Sequence, residues 1–384
     1  MAGGGSANGT DRSYYGASSQ GRLAQVHRIT AFIIVSHRHL REFAGWADQL
    51  QETQSEGESE ALAGIQVSVT ATVLNEAEDI DELVSTLAQQ TLRPEVVIVD
   101  GGSNDGTWER LQAARGKYSN LVAIRDESCN LKASPGPIAR GRNVGISAAT
   151  SEIVACADAG CIYDPEWLAR LTAPIRNGDA EYALGGSCVD PEEQTIWDLA
   201  SAPFFGLKQS ADGTTKSCTA RSMAFRKDLW QRVGGFPETS FLGEDTMFDR
   251  LVRKLVTPAY AERAQAIYRP RHTLKSALTM MARYGVADGV LGTRRSRLLR
   301  NFLRCLAEIA AVALLARTAI PFVLVLLLEI YFAFRLDWRT FGRHATLRQL
   351  AARLLYSLAV PWIVTWNQAV GELTKTNQPN RQNA

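Results

Sequence analysis

Two short β-branched runs, Ile65-Gln-Val-Ser-Val-Thr-Ala-Thr-Val73 and Val96-Val-Ile-Val-Asp100, stand either side of a polar-faced segment from Asp79 to Gln90. The first leads into Leu74-Asn-Glu76 and the second into Gly101-Gly-Ser-Asn-Asp105-Gly-Thr107. This spacing predicts a strand, a helix and a second strand, because parallel strands need a crossover of about a dozen residues or more. Such crossovers are right-handed, so both strands enter one parallel sheet with their carboxyl ends together. Ligands of open α/β sheets bind in the crevice outside those ends. Both polar clusters lie there, and Asn75, Glu76, Asp100 and Asp105 become the first candidate binding residues.

Strand and helix go on alternating to about Tyr268. Helices are predicted over Thr107–Arg115, over Ala139–Ala149 after the breaker Pro135-Gly-Pro137, and over Pro165–Arg176 with Asp164 as N-cap. Two more run over Lys227–Val233, stopped by Gly234-Gly235, and over Glu244–Arg253, opened by Gly243. Leu121–Arg125, Glu152–Ala157 and Ala183–Val189 read as strands. The pattern predicts an α/β domain with a mostly parallel, Rossmann-like sheet flanked by helices.

At 384 residues the chain has room for one large α/β domain with appendages. Residues 1–20 are Gly-, Ser- and Asn-rich and are expected to be a disordered tail, as are 373–384. Residues 21–64 form an N-terminal segment and linker; their first apolar run, Ile29–Val35, is too short and too late for a cleavable signal. The α/β domain is placed at 65–292. The six cysteines contain no Cys-x-x-Cys pair and no partner histidine at metal spacing, which suits reduced thiols in a cytosolic compartment.

The net charge of +2 conceals an asymmetry: acids concentrate between Glu76 and Asp190, arginines between Arg294 and Arg353. Residues 293–372 are basic and apolar. Leu306–Leu336 is apolar apart from Glu308, Arg317, Glu329 and Arg335, with Pro321 near its middle. As two arms kinked at that proline it is too short to cross a bilayer twice, since one span needs about 20 apolar residues. Arginines flank it on both sides, which predicts that both flanks stay on the cytoplasmic side and that the segment is an in-plane or re-entrant hairpin. A buried hairpin of a soluble protein is the alternative. Membrane association is preferred, with anionic lipid as a partner at the cytoplasmic face of the cell membrane. The basic residues border an apolar segment and not an aromatic-lined basic face, which argues against nucleic acid.

The chemistry lies in four places. Asp100 ends a strand of buried character, where a carboxylate needs a hydrogen-bond donor, from a ligand or from a turn of its own. No Gly-x-Gly-x-x-Gly follows the first strand and no phosphate-loop Gly-x-x-x-x-Gly-Lys-Ser/Thr occurs, which argues against dinucleotide and P-loop enzymes. Asp158, in Ala157-Asp-Ala-Gly160, ends the next confident strand, where a carboxylate suits a divalent cation bridging diphosphate oxygens or a simple cap. Glu244 and Asp245 open a helix, where carboxylates complement the dipole or face a reacting hydroxyl as a general base.

Thr72-Val-Leu-Asn-Glu76, Asp100-Gly-Gly-Ser-Asn-Asp-Gly-Thr107, Ala139-Arg-Gly-Arg-Asn-Val-Gly145, Asp158-Ala-Gly160, Val233-Gly-Gly-Phe-Pro-Glu238 and Gly243-Glu-Asp-Thr246 occur in that order. Together they resemble the family 2 glycosyltransferases, inverting enzymes of the GT-A fold, over about residues 65 to 290. Ala220-Arg-Ser-Met-Ala-Phe-Arg226, Tyr268-Arg-Pro-Arg271 and Arg283-Tyr-Gly285 resemble a bacterial, membrane-associated branch acting on polysaccharide or lipid-linked acceptors. The resemblance implies that Thr72, Asn75, Glu76 and Asp100 line the nucleoside site, with Asp100 accepting from the base and Asp105 behind it. It places Arg142 and Asn143 near the donor phosphates, with Arg269 and Arg271 as further diphosphate contacts. Arg221 and Ser222 fall on the acceptor side. Asp245, with Glu244 beside it, matches the catalytic base that deprotonates the acceptor hydroxyl. Asp158 matches the first Asp of the Asp-x-Asp metal motif, whose second Asp is here Gly160. A divalent cation, Mn²⁺ or Mg²⁺, is implied with one ligand fewer, and His272 is a candidate to supplement it. The implied partners are a UDP- or GDP-sugar donor and a saccharide or polyprenyl-linked acceptor.

Two other readings use the same pocket. A sugar-1-phosphate nucleotidyltransferase needs a Gly-rich basic loop after the first strand, where this chain has the acidic Val73-Leu-Asn-Glu-Ala-Glu-Asp79. A non-catalytic nucleotide-sugar-binding protein is the other, with Gly160 as the mark of a lost metal site.

Overall fold

The computed structural model describes residues 66–189, 195–205, 219–269, 273–315, 317–334 and 346–376. Ile65–Ala384 forms one compact unit. The expectations for residues 1–64 and 377–384 fall outside the described residues, while residues 373–376, expected in the disordered tail, continue a helix.

Eight strands make one sheet in the order β3-β2-β1-β4-β7-β6-β8-β5. They are β1 Val67–Val73, β2 Glu95–Asp100, β3 Leu121–Arg125, β4 Ile153–Cys156, β5 Cys161–Tyr163, β6 Tyr182–Val189, β7 Met223–Arg226 and β8 Ala259–Tyr268. The half from β3 to β4 is parallel throughout, with Thr72 opposite Val99 and Val69 opposite Ala155. β1 and β4 are almost wholly buried, which is why they read as near-continuous apolar runs and not as alternation. Beyond β4 the sheet becomes mixed. β7 runs antiparallel to both β4 and β6, β8 lies parallel to β6, and β5 is antiparallel to β8. A parallel–mixed sheet with its polar loops at the β1, β2 and β4 carboxyl ends is the expected class; β5, β7 and β8 are additions to the strands read from the sequence.

Helices cover both faces. On one side α1 (Ile80–Ala88), α2 (Thr107–Lys117) and α4 (Trp167–Arg176) lie over a core that includes Ile80, Leu83, Leu87, Trp167 and Leu171. On the other, α3 (Pro137–Ala148), α6 (Lys227–Val233) and α7 (Glu244–Val252) share a core in which Phe236 stacks on Phe248 at 4.1 Å. α3 comes unusually close to β1. A Cβ on Gly141 or Gly145 would run into the side chains of Thr72 and Thr70, so one face of this helix is glycine by steric necessity. α4 begins two residues later than predicted, at Trp167; Asp164 accepts from the Glu166 amide at 2.9 Å and so shapes the turn ahead of the helix.

The carboxyl-terminal third is helical. A short helix α5 (Ile196–Ser201) precedes it, followed by α8 (Leu274–Leu291), α9 (Arg295–Leu314), α10 (Ile320–Phe334) and α11 (Leu347–Thr376). α8 and α11 pack backbone to backbone: a Cβ on Gly289 or Gly371 would meet main-chain atoms of the opposite helix. Pro321 does not kink a continuous helix. It sits in the first turn of α10, where its missing N–H is no loss. At 15 residues α10 rises about 22 Å, short of a hydrocarbon core of about 30 Å. No helix among the described residues is long and apolar enough to cross a membrane.

Candidate active site

The loops after β1 and β2 are knitted together. The Asn75 amide donates to Ser103 Oγ at 2.9 Å, the Glu76 amide to Thr107 Oγ1 at 2.9 Å and the Ala77 amide to Asp105 Oδ2 at 3.1 Å. In return, the Asn104 amide donates to Asn75 Oδ1 at 3.0 Å. Asn75 takes a left-handed conformation, φ 56°, which asparagine tolerates better than most residues. The Thr107 hydroxyl, bonded to Asp105, holds that carboxyl below its ordinary range. Asp105 is thus a clamp between the two loops.

Asp100 is fully buried, and its carboxylate accepts from the Ser103 amide and hydroxyl, with the Arg125 guanidinium 3.9 Å away. The expected direct contact between Asp100 and a base conflicts with this burial. Asp100 holds the loop that a ligand would meet. Thr72 likewise turns toward Gly141 and contributes shape to the helix contact.

At the next strand end the side chains converge. Arg142, projecting from α3 and only 4% exposed, donates from Nη2 to Asp158 Oδ1 at 2.5 Å and from Nη1 to Glu244 Oε1. Arg221 Nε stands 3.7 Å from the second Asp158 oxygen, and its guanidinium lies 4.2 Å above the ring of Tyr268. Asp158 is held from behind as well, because its amide donates to the buried Tyr163 hydroxyl at 2.9 Å. Tyr284 of α8 closes the group, its hydroxyl held above its ordinary range by burial and by Asp245 and Asp158, against the pull of Arg221. Burial alone would draw the Arg142 guanidinium down, but Asp158 and Glu244 outweigh it and the net direction is up. Burial, and after it the neighbouring Asp245, drive the Glu244 carboxyl up to about 7 against the pull of Arg142. Arg142 Nε, Arg221 Nε and Glu244 Oε2 are buried without a hydrogen-bond partner. Asp245, one residue on, is half-buried and accepts from the Thr246 amide at 2.6 Å.

Other predicted residues serve as framework. Asn143 donates to the Phe236 carbonyl and to Glu238 at 2.9 Å each, and accepts from the Phe236 amide and Trp230 Nε1. It fixes the Gly235-Phe-Pro-Glu238 loop and has no group left for a donor phosphate. Ser222 is buried, accepts from Trp167 Nε1 and donates to the Ala264 carbonyl, so it offers an acceptor nothing. Arg269 pairs with Glu82 of α1, and its amide donates to the Gly160 carbonyl at 2.9 Å. Arg271 and His272 fall outside the described residues. Tyr163 carries no signal in the sequence, and Tyr284 appears there only within Arg283-Tyr-Gly285, without a role in the site. Cys161-Ile-Tyr163 is too short to register as a strand, and Tyr284 is brought to the site only by the packing of α8.

A cation at Asp158 fits these residues poorly. Both carboxylate oxygens face guanidinium groups, and Gly160, at φ 70°, supplies no ligand. Among the described residues no group of three His, Cys, Asp or Glu side chains is placed to hold a metal ion. In this structure Asp158 is the ion-pair partner of Arg142 and Arg221.

This arrangement of a sheet half, its end loops and an acid-bearing helix has relatives. A solved structure, mannosyltransferase PcManGT from Pyrobaculum calidifontis in complex with GDP-Man and Mn²⁺, aligns over 81% of this chain and 88% of that one with a TM-score of 0.55 at 17% identity. The fold is that of the GT-A glycosyltransferases. Residues 68–234 match the Glycosyl transferase family 2 profile. Glycosyltransferase AglE of Haloferax volcanii is 30% identical over 47% of this chain and 58% of its own length. A dolichol-phosphate mannosyltransferase of Pyrococcus furiosus is 31% identical over 37% of each. The chain thus spans about half the length, or less, of the curated relatives it matches.

Proposed function

We propose that this protein transfers a sugar from a nucleotide-diphosphate sugar, with UDP or GDP as the nucleotide, to a hydroxyl of a saccharide or lipid-linked acceptor, with inversion, at the cytoplasmic face of the membrane. The observation that carries the reading is the convergence of Arg142, Asp158, Arg221 and the Glu244–Asp245 pair at the carboxyl edge of the sheet. The names of the relatives, a mannosyltransferase and a glycosyltransferase among them, and the GDP-Man in the Pyrobaculum structure support it.

The residues suggest the following chemistry. Asp245, half-buried at the start of α7, takes the proton of the acceptor hydroxyl. That oxygen bonds to the anomeric carbon from the face opposite the diphosphate, and the carbon–oxygen bond to the diphosphate breaks with its electron pair. The charge that develops on the leaving oxygen is met by Arg221 and Arg142, which Asp158 and Glu244 already hold in place in a largely desolvated setting. Glu244 holds Arg142, and Arg142 and Arg221 share Asp158, so the acids position the cations that receive the leaving group.

The test is release of nucleoside diphosphate from a panel of UDP- and GDP-sugars with membrane lipid extract as acceptor. Asp245→Asn should lower turnover by roughly 10²–10⁴-fold, the usual worth of a general base. Nucleotide affinity should stay within about twofold, since Asp245 acts on the acceptor. Normal turnover in this variant would remove Asp245 as the base.

A further inference from the structure

α9 and α10 present their apolar residues outward. On α9, Leu299, Phe302, Leu306 and Ile309 recur at three- and four-residue spacing and are each 45–59% exposed. On α10, Leu324 (61% exposed) and Leu327 (57% exposed) continue the surface. The opposite faces are closed by polar contacts. Arg304 of α9 donates to the buried Glu329 of α10, and Ser357 of α11 bonds the same carboxylate at 3.4 Å. An amphipathic helix pair normally turns its apolar stripe to the core. Here the polar side is locked inside and the apolar side is left bare, far beyond the scattered apolar residues of an ordinary surface.

Charge says what covers it. Between Arg294 and Phe334 the only acids are Glu308 and Glu329, and both are engaged, Glu308 by Trp362 Nε1 at 2.5 Å. Of the arginines, Arg294 and Arg297 face Asp288 and Arg304 is engaged by Glu329. Arg295 and Arg300 are exposed. Arg295 lies one turn ahead of Leu299, in line with the apolar stripe. A cationic end on an apolar stripe complements anionic headgroups over acyl chains, and two copies meeting through this face would bring like charges together.

We propose that the α9–α10 face is a preformed, in-plane docking surface for an anionic bilayer leaflet, inserted to the depth of its exposed leucines and oriented by Arg295 and Arg300. This deepens the membrane-face part of the proposed function and stands on a different surface from the donor site. Because Arg304, Glu329 and Ser357 are bonded to one another within the protein, docking requires no new folding.

Flotation of the full chain tests this, with vesicles of phosphatidylcholine alone or with about a third phosphatidylglycerol. The chain should float with both and more strongly with the anionic mixture. Leu306→Glu with Leu324→Glu should abolish flotation with both. Arg295→Gln and Arg300→Gln should each weaken only the anionic increment, by roughly fivefold. Circular dichroism should show no gain in helix on binding. The proposal is overturned if the wild type stays unbound, or if the double Glu variant floats unchanged. A lipid-free dimer that the double Glu variant disrupts would assign the face to a second copy instead, and a rise in helicity would overturn its preformed character. UDP or GDP binding to the same preparations separates outcomes: loss of nucleotide binding with intact flotation counts against the donor site and not against this face.

Discussion

At the scale of single residues, the site shows acids that position cations. Glu244 is the clearest case, since its carboxyl is driven from about 4.5 up to about 7 by burial and by Asp245. A folded-state value above the unfolded one means that the folded protein binds the extra proton between those limits. This contribution to stability is complete below about pH 4.5 and is lost as pH rises through 7, with a ceiling of about 3 kcal/mol. Glu244→Gln should remove that slope. Urea unfolding of both proteins between about pH 5 and pH 8 should show the wild type losing stability relative to the variant. Parallel profiles would refute the assignment. Asn143 is the structural counterpart. Asn143→Ala would leave the Phe236 amide and carbonyl and the Trp230 indole unpaired, and should cost about 3 kcal/mol or more in denaturant unfolding.

Among the elements, α3 against β1 determines where the site lies. The predicted helix and strand were both legible, because a Pro-Gly-Pro breaker and a β-branched run are strong local signals. Their separation was not, since a glycine in a helical pattern says only that something comes near. Gly141 and Gly145 let α3 sink onto Thr72 and Thr70, and this carries Arg142 within 2.5 Å of Asp158. Gly141→Val should destabilise the protein by about 1–3 kcal/mol through overpacking. It should also weaken nucleotide binding more than a surface change of equal destabilisation would. Equal losses for the two would reduce α3 to a packing element. β7 shows the reverse limit. Met223–Arg226 is four residues without alternation, and only its pairing with both β4 and β6 makes it a strand.

For the molecule as a whole, the helical layer and the α/β part share one body. α8 carries Tyr284 into the site, while its other contacts lie against α11 through Gly285 and Gly289. Arg353 of α11 is fully buried and donates to the Leu199 carbonyl of α5. A chain ending before α11 should therefore fail as a soluble catalytic domain, because Ala277, Met281 and the glycine face of α8 would be bared. Soluble yield and size-exclusion behaviour check this, and a monodisperse truncated chain that still binds nucleotide would contradict it.

By itself the sequence determined the α/β class, the carboxyl-end loops, the helix that begins at Glu244 and the basic, apolar character of the last third. Each of these is written in local periodicity, turn chemistry or composition. Which polar residues face a ligand and which hold the frame was decided in three dimensions. Asp100, Asn143 and Ser222 share chemistry with binding residues; Asp100 is turned inward by its own loop at Ser103, and Asn143 and Ser222 by partners dozens of positions away. The arginine flank was thinned in the same way: among the described residues Arg353 is buried, and Arg304 and Arg297 are paired with acids. Asp158 has the sequence of a metal ligand missing its neighbour, and the fold set two guanidinium groups beside it. Long-range pairing of charges depends on which helices cross, and no local pattern records that.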